Sequence, residues 1–222
     1  MAKSILAVDI GSETITAAVC DGDNDPLALQ PDGVAVSWPA TVAVDSRGEL
    51  TAVGDEGIVE IPRICRYLGR QAEVIGGAPR HADSLITVAL SPIIASASEI
   101  LGNRPPDLIA ATYPLTWPQH IVGAFRNAVQ AGAKGSEVVL VPWSEAIAAQ
   151  TYAPTPWVDC PITSLDFGAR SASVSLIHVD QRGRTKLLYS TTDPLGGYRV
   201  AGRAAVGPAA QSARQNSYLS QR

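Results

Sequence analysis

The segment from Ile5 to Thr16, ILAVDIGSETIT, constrains the fold more than any other, because an apolar run ends there in a polar turn and a second strand follows at once. Ile5 to Val8 has the length and composition of a strand covered on both faces. Asp9-Ile10-Gly11-Ser12 then puts a carboxylate, a flexible glycine and a hydroxyl at the strand's end, and Ile15 to Val19 predicts the returning strand. A turn of this kind can offer backbone N–H groups and a hydroxyl to a phosphate while Asp9 holds a metal ion, directly or through water. An ordinary hairpin with a turn aspartate has the same local pattern.

Composition narrows the partners. A chain of 222 residues, 46% hydrophobic and 17% charged, can bury a sizeable core as one large domain or one and a half. Its net charge of -4 and lack of a basic cluster argue against nucleic acid. No stretch approaches the roughly 20 uncharged apolar residues of a membrane span, and the first residues do not read as a signal peptide, so no membrane partner and a cytoplasmic location are expected. Cys20, Cys65 and Cys160 lie far apart, as do His81, His120 and His178, which favours buried free thiols over a disulfide framework or a zinc site.

Downstream, Asp21 to Pro26 is dense in turn formers and lacks the spacing and terminal Glu of a calcium loop. Thr41 to Val44 and Leu50 to Val53 predict a hairpin around Asp45-Ser46-Arg47-Gly48-Glu49. Ile61 to Arg70 predicts a short helix with Pro62 in its first turn, and Gln71 to Arg80 a loop. Asp83 is placed to cap a helix whose stripe runs from Leu85 through Ile93 and Ala97 to Leu101, kinked at Pro92 and stopped by Gly102-Asn103. Strands over 107–112 and 137–141 then alternate with helices over 118–131 and 143–152, an α/β segment. After a proline-rich linker, strands over 162–167 and 171–179 enclose Gly168-Ala169-Arg170, repeating the opening strand–turn–strand, and a further strand follows over 185–190. The last twenty or so residues read as an unanchored tail.

Two such hairpins separated by an α/β segment resemble the actin-like ATPase superfamily, and within it the first lobe of the DnaK-type heat-shock chaperone ATPase. Asp9-Ile10-Gly11-Ser12 is similar to that family's first phosphate loop, and Arg66-Tyr67-Leu68-Gly69-Arg70 to its KRLIGR segment. Thr112-Tyr113-Pro114 is similar to the strand end with the switch proline, and Ser144 to Ala149 to the NEPTAAA helix start. Asp166-Phe167-Gly168-Ala169-Arg170-Ser171 resembles the second phosphate loop, and Leu195-Gly196-Gly197 the LGG leading into the second lobe. The resemblance implies a ribonuclease H-like lobe over residues 1–197, with a mixed five-stranded sheet flanked by helices, and a tail or truncated second lobe over 198–222. It implies ATP or ADP bound with Mg²⁺, with Asp9 and Asp166 on opposite sides of the Mg²⁺-bound phosphate and holding the metal directly or through water. Glu145 would orient the attacking water, although an acidic residue in a first helical turn also suits the helix dipole. Gly11, Ser12, Glu13, Gly168, Ala169, Arg170, Ser171, Gly196 and Gly197 would surround the nucleotide.

Departures from the family pattern shape the functional expectation. The KRLIGR lysine falls on Cys65, the relay arginine on Val122, and a phosphate-loop threonine on Glu13. A carboxylate about 4 Å from a phosphate costs on the order of 4 kcal/mol at an effective dielectric of about 20. The family's triple glycine becomes Gly168-Ala169-Arg170, which loses flexibility but gains a cation to offset part of the missing lysine. A second lobe is not evident, so a client or partner chain completing the cleft is an expected partner. The leading expectation is a divergent chaperone-like nucleotide-binding lobe with weak or absent hydrolysis. The alternatives are a non-catalytic interaction module on the same fold, and a sugar kinase or an actin-like division or pilus protein.

Overall fold

The computed structural model describes residues 3–31, 33–52, 57–152 and 160–193. Strand β1 (Ser4–Ile10) lies inside the largest sheet. Its side chains alternate, with Leu6, Val8 and Ile10 buried and Ala7 and Asp9 exposed. The expectation of a strand covered on both faces is therefore corrected: period-two alternation sends the bulky residues to the helix side and leaves small and polar ones opposite.

In chain order the other strands are β2 (Thr14–Asp21), β3 (Leu27–Ala28), β4 (Trp38–Pro39), β5 (Thr41–Asp45), β6 (Leu50–Ala52), β7 (Gly57–Pro62), β8 (Glu73–Ile75) and β9 (Ala78–Arg80). Then follow α1 (Ala82–Ile100), β10 (Leu108–Tyr113), α2 (Gln119–Gly132), β11 (Glu137–Pro142), α3 (Trp143–Tyr152), β12 (Cys160–Phe167), β13 (Ala172–Val179) and β14 (Thr185–Asp193). The main sheet runs β11-β10-β1-β2-β3, with β4 also on β2, making six strands where five were expected. β1, β10 and β11 are parallel, and β2 runs against its neighbours β1 and β3. At its lower end Asp107 accepts from the Ser4 backbone N–H and hydroxyl, both at 2.8 Å, which ties the start of β10 to the start of β1. Those two hydrogen bonds hold the Asp107 carboxyl below its usual range, with Arg104 and Lys3 adding to the effect.

The core lies between this sheet and helices α1 and α2. Leu85, Ile86, Ala89, Leu90, Ile93, Ile94 and Ala97 of α1 are buried in the same core as Leu6, Val8, Ile109 and Val138, as the stripe predicts. By length and composition α1 could cross a membrane, with a mean hydropathy of 1.3, contrary to the expectation that no stretch would. Here its apolar stripe is packed in the core. Asp83 stands in the first turn rather than at the cap, which is His81, and Ser84 Oγ donates to the His81 carbonyl at 2.8 Å. Phe125 of α2 is fully buried and meets Trp117 edge-on, with ring centroids 5.3 Å apart.

Two expectations for the middle of the chain are corrected. Pro62 ends β7, which pairs with β5, and only one 3₁₀ turn follows, Ile64–Tyr67. Residues 73–80 form the β8–β9 hairpin around Gly76-Gly77, both at positive φ, instead of a loop. A Cβ on Gly76 would lie 2.7 Å from Val44 Cγ1, so a glycine there admits close packing as well as the turn.

A separate antiparallel sheet runs β12-β13-β14. Its polarity is unusual. Ser164, Ser173 and Ser175 are buried, with Ser173 Oγ 2.8 Å from Thr192 Oγ1 and Ser175 Oγ 3.0 Å from Ser190 Oγ. Leu165, Phe167, Val174 and Tyr189 are exposed on the opposite face. Replacing Phe125 with Ala, which empties the centre of the main core, should cost about 3–5 kcal/mol, read as a lower urea midpoint with an unchanged slope.

Candidate functional site

Two hairpins of matching register build the site. In the first, the ladder closes at Ile10–Ile15 and leaves residues 11–14 as the turn; in the second it closes at Phe167–Ala172 and leaves 168–171. Asp9 therefore stands opposite Thr16 as Asp166 stands opposite Ser173. The glycine two residues on behaves alike in both. A Cβ on Gly11 would lie 3.0 Å from the Thr14 carbonyl oxygen, and one on Gly168 would lie 3.3 Å from that of Ser171. In the first turn the close approach is a hydrogen bond, Gly11 N–H to Thr14 O at 2.9 Å. Any larger side chain would have to push that carbonyl away.

Both turns open on one cavity of about 440 Å³. Asp9, Gly11, Ser12 and Glu13 line it from the first hairpin, and Asp166, Gly168, Ala169, Arg170 and Ser171 from the second. The end of β10 adds Thr112, Tyr113 and Pro114, with Trp117 just beyond. Thr112 is the register partner of Asp9, and its hydroxyl donates to the Asp9 carboxylate.

Glu145 does not join this group. Trp143, Ala146 and Ile147 of α3 line the cavity at i, i+3 and i+4 spacing, which is one helical face. Glu145 sits two residues after Trp143, about 200° around the helix at 3.6 residues per turn, and is absent from the lining. It remains the acidic residue of the first turn, where the helix dipole favours it. Gly196 and Gly197 lie outside the described residues.

Charge in the cavity is mostly negative. Burial first, and then the neighbouring charge of Asp9, raise the Asp166 carboxyl above its ordinary value. The same two causes push the Cys65 thiol up to about 12, so Cys65 is neutral at physiological pH. Its sulfur lies 3.7 Å from the Ile10 carbonyl oxygen, in the lining position where the resemblance places a lysine. Among the described residues Arg170 is the only arginine or lysine of the lining. Glu13 is paired: Arg63 Nε donates to its Oε1 at 2.8 Å. The cost assigned above to a bare Glu13 carboxylate is therefore corrected downward, because a guanidinium screens it.

Sequence reasoning missed Arg63, Trp117 and Trp143 as parts of this neighbourhood. Nothing in the local pattern of Arg63 marks it; its left-handed backbone, φ 59° and ψ 53°, shows only in three dimensions. Trp143 could have been found from the α3 periodicity once Glu145 was set aside as the reference residue.

No protein-family model matches this chain, and no curated protein matches it either. A raised Asp166 binds its proton more tightly in the folded than in the unfolded chain. The metal-free protein should gain stability as pH falls through that raised value, toward the unfolded carboxyl near about 3.9. Asp166→Asn should melt higher than wild type at pH 7 without metal, with the gap closing on acidification, as differential scanning fluorimetry would show.

Proposed function

We propose that this chain is an actin-like nucleotide-binding lobe, related to DnaK-type chaperone ATPases, that binds ATP or ADP with Mg²⁺ and hydrolyses ATP weakly or not at all. The observation behind the proposal is the convergence of Asp9 and Asp166, from two hairpins of like register, on one cavity. The sheet order β11-β10-β1-β2-β3, in which β2 alone runs against the rest, supports the fold assignment.

The donor set fits a metal that arrives with phosphates. Among the described residues no three His, Cys, Asp or Glu side chains converge as a metal cage. Mg²⁺ needs no such cage, since one or two carboxylates, waters and phosphate oxygens complete its shell. Asp9 and Asp166 would hold it, and when bound it would neutralise phosphate charge. Thr112, donating to Asp9, fixes one carboxylate in place. Backbone N–H groups of the two turns, other than that of Gly11, which the Thr14 carbonyl holds, would face phosphate oxygens. Arg170 would supply the cation that Cys65 cannot.

Weak turnover follows from the same residues. Phosphoryl transfer depends on positioning and charge neutralisation. Cys65 is neutral, and Glu145 faces away from the lining side of α3. A client or partner chain completing the site remains part of the proposal. The exposed Leu165, Phe167, Val174 and Tyr189 favour a second reading, an interaction module that has kept the fold and lost the ligand.

Isothermal titration separates the two. ATP with Mg²⁺ should give saturable heat that disappears in Asp9→Asn, and in Asp166→Asn despite its higher melting temperature. No heat at millimolar ATP would reject nucleotide binding and leave the interaction module.

A further inference from the structure

Resting on the nucleotide-binding proposal, we infer that Arg63 is a positioning residue for anion binding, neutralising Glu13 so that the first turn can accept a phosphate. Glu13 and Arg170 occupy equivalent places in the two turns, each third in its four-residue loop, and both line the cavity. One turn thus offers a carboxylate where the other offers a guanidinium. A phosphate between them would be attracted from one side and repelled from the other.

Arg63 removes the repulsion. Its Nε meets Glu13 Oε1 at 2.8 Å, with the side chains only 39% and 25% exposed, so water screens the pair incompletely. Arg63 is not itself among the lining residues, which makes its effect on a ligand indirect, through Glu13. Its backbone is one of three non-glycine residues at positive φ among those described. That conformation is unfavourable for an arginine and persists where surroundings enforce it. The backbone supplies the enforcement: the Ala40 N–H donates to the Glu13 carbonyl at 2.8 Å, and the Ile64 N–H donates to the Ala40 carbonyl at 3.2 Å. Residues 13, 40 and 64 are thereby stitched together, and Arg63 is held beside the turn.

The charges then balance in a way they otherwise would not. A divalent cation matches Asp9 and Asp166, Arg63 matches Glu13, and Arg170 is left with one positive charge for the phosphate. Without Arg63 that surplus vanishes. The lysine expected at 65 is thus replaced in effect by a cation two residues earlier, acting on a protein carboxylate and not on the ligand.

The test is titration of the full chain with ADP and Mg²⁺, followed by calorimetry at several salt concentrations. Arg63→Gln should bind about tenfold more weakly, because it leaves the Glu13 carboxylate unneutralised beside the phosphate. Glu13→Gln should bind at least as tightly as wild type, and the double variant Arg63→Gln/Glu13→Gln should recover from the loss of Arg63→Gln alone. Equal weakness in Arg63→Gln and the double variant would overturn the inference, because Arg63 would then be only a structural support. Wild-type affinity in Arg63→Gln would overturn it too, while leaving nucleotide binding intact. If Arg63→Gln fails to melt cooperatively, Glu13→Gln alone decides: a weaker complex contradicts the inference, and a tighter one supports it. Absence of heat with the wild-type chain would reject both this inference and the nucleotide-binding proposal.

Discussion

Two carboxylates of like charge share one cavity, and the arrangement of the chain around them follows from getting them there. Asp9 ends a strand paired on one side with β2 and on the other with β10, so it is fixed by two ladders at once. Asp166 ends a strand of a different sheet, and α3 lies between the two, lining the cavity with Trp143, Ala146 and Ile147 while its Ala148 packs with Ile177 and Val179. Burial first, and then the charge of Asp9, raise the Asp166 carboxyl, so keeping both carboxylates ionised without a counterion opposes folding. A protein tolerates such a pair when a ligand or cation offsets it, which is why like-charge pairs mark functional sites more often than structural ones.

Much of this was legible in the sequence because it rests on local rules. The α1 stripe, the strand–helix alternation from β10 to α3 and both Asp-x-Gly turns depend on periodicity and on where glycine falls. The turns were legible for a further reason: each needs a glycine two residues after the aspartate to clear a carbonyl three residues on, and that spacing is written in the chain. Their meeting in one cavity was expected only through a family resemblance.

Some of what escaped has long-range causes: pairing of β7 with β5 outweighed the helical signal of Pro62. The β8–β9 hairpin is local, and its Gly76-Gly77 turn was a signal present in the chain. β1 was taken as covered on both faces because its run is continuously apolar, yet Ala7 is small enough to stand exposed at little cost. Glu145 was placed by its motif, and only the helix phase set by Trp143 turns it away. The inward serines of β13 escaped for the same kind of reason: alternation predicts two faces but not which one meets α3, and here the hydroxyls meet each other while Phe167 and Tyr189 stay outside.

The most direct test of a shared cavity is the titration of the Asp166 carboxyl itself, followed by carbon-13 NMR in the metal-free chain and again with Asp9→Asn. Coupling across one cavity predicts that Asp166 titrates above the ordinary carboxylate range and moves back toward it when Asp9 loses its charge. An Asp166 that titrates normally and ignores the change at Asp9 would contradict it.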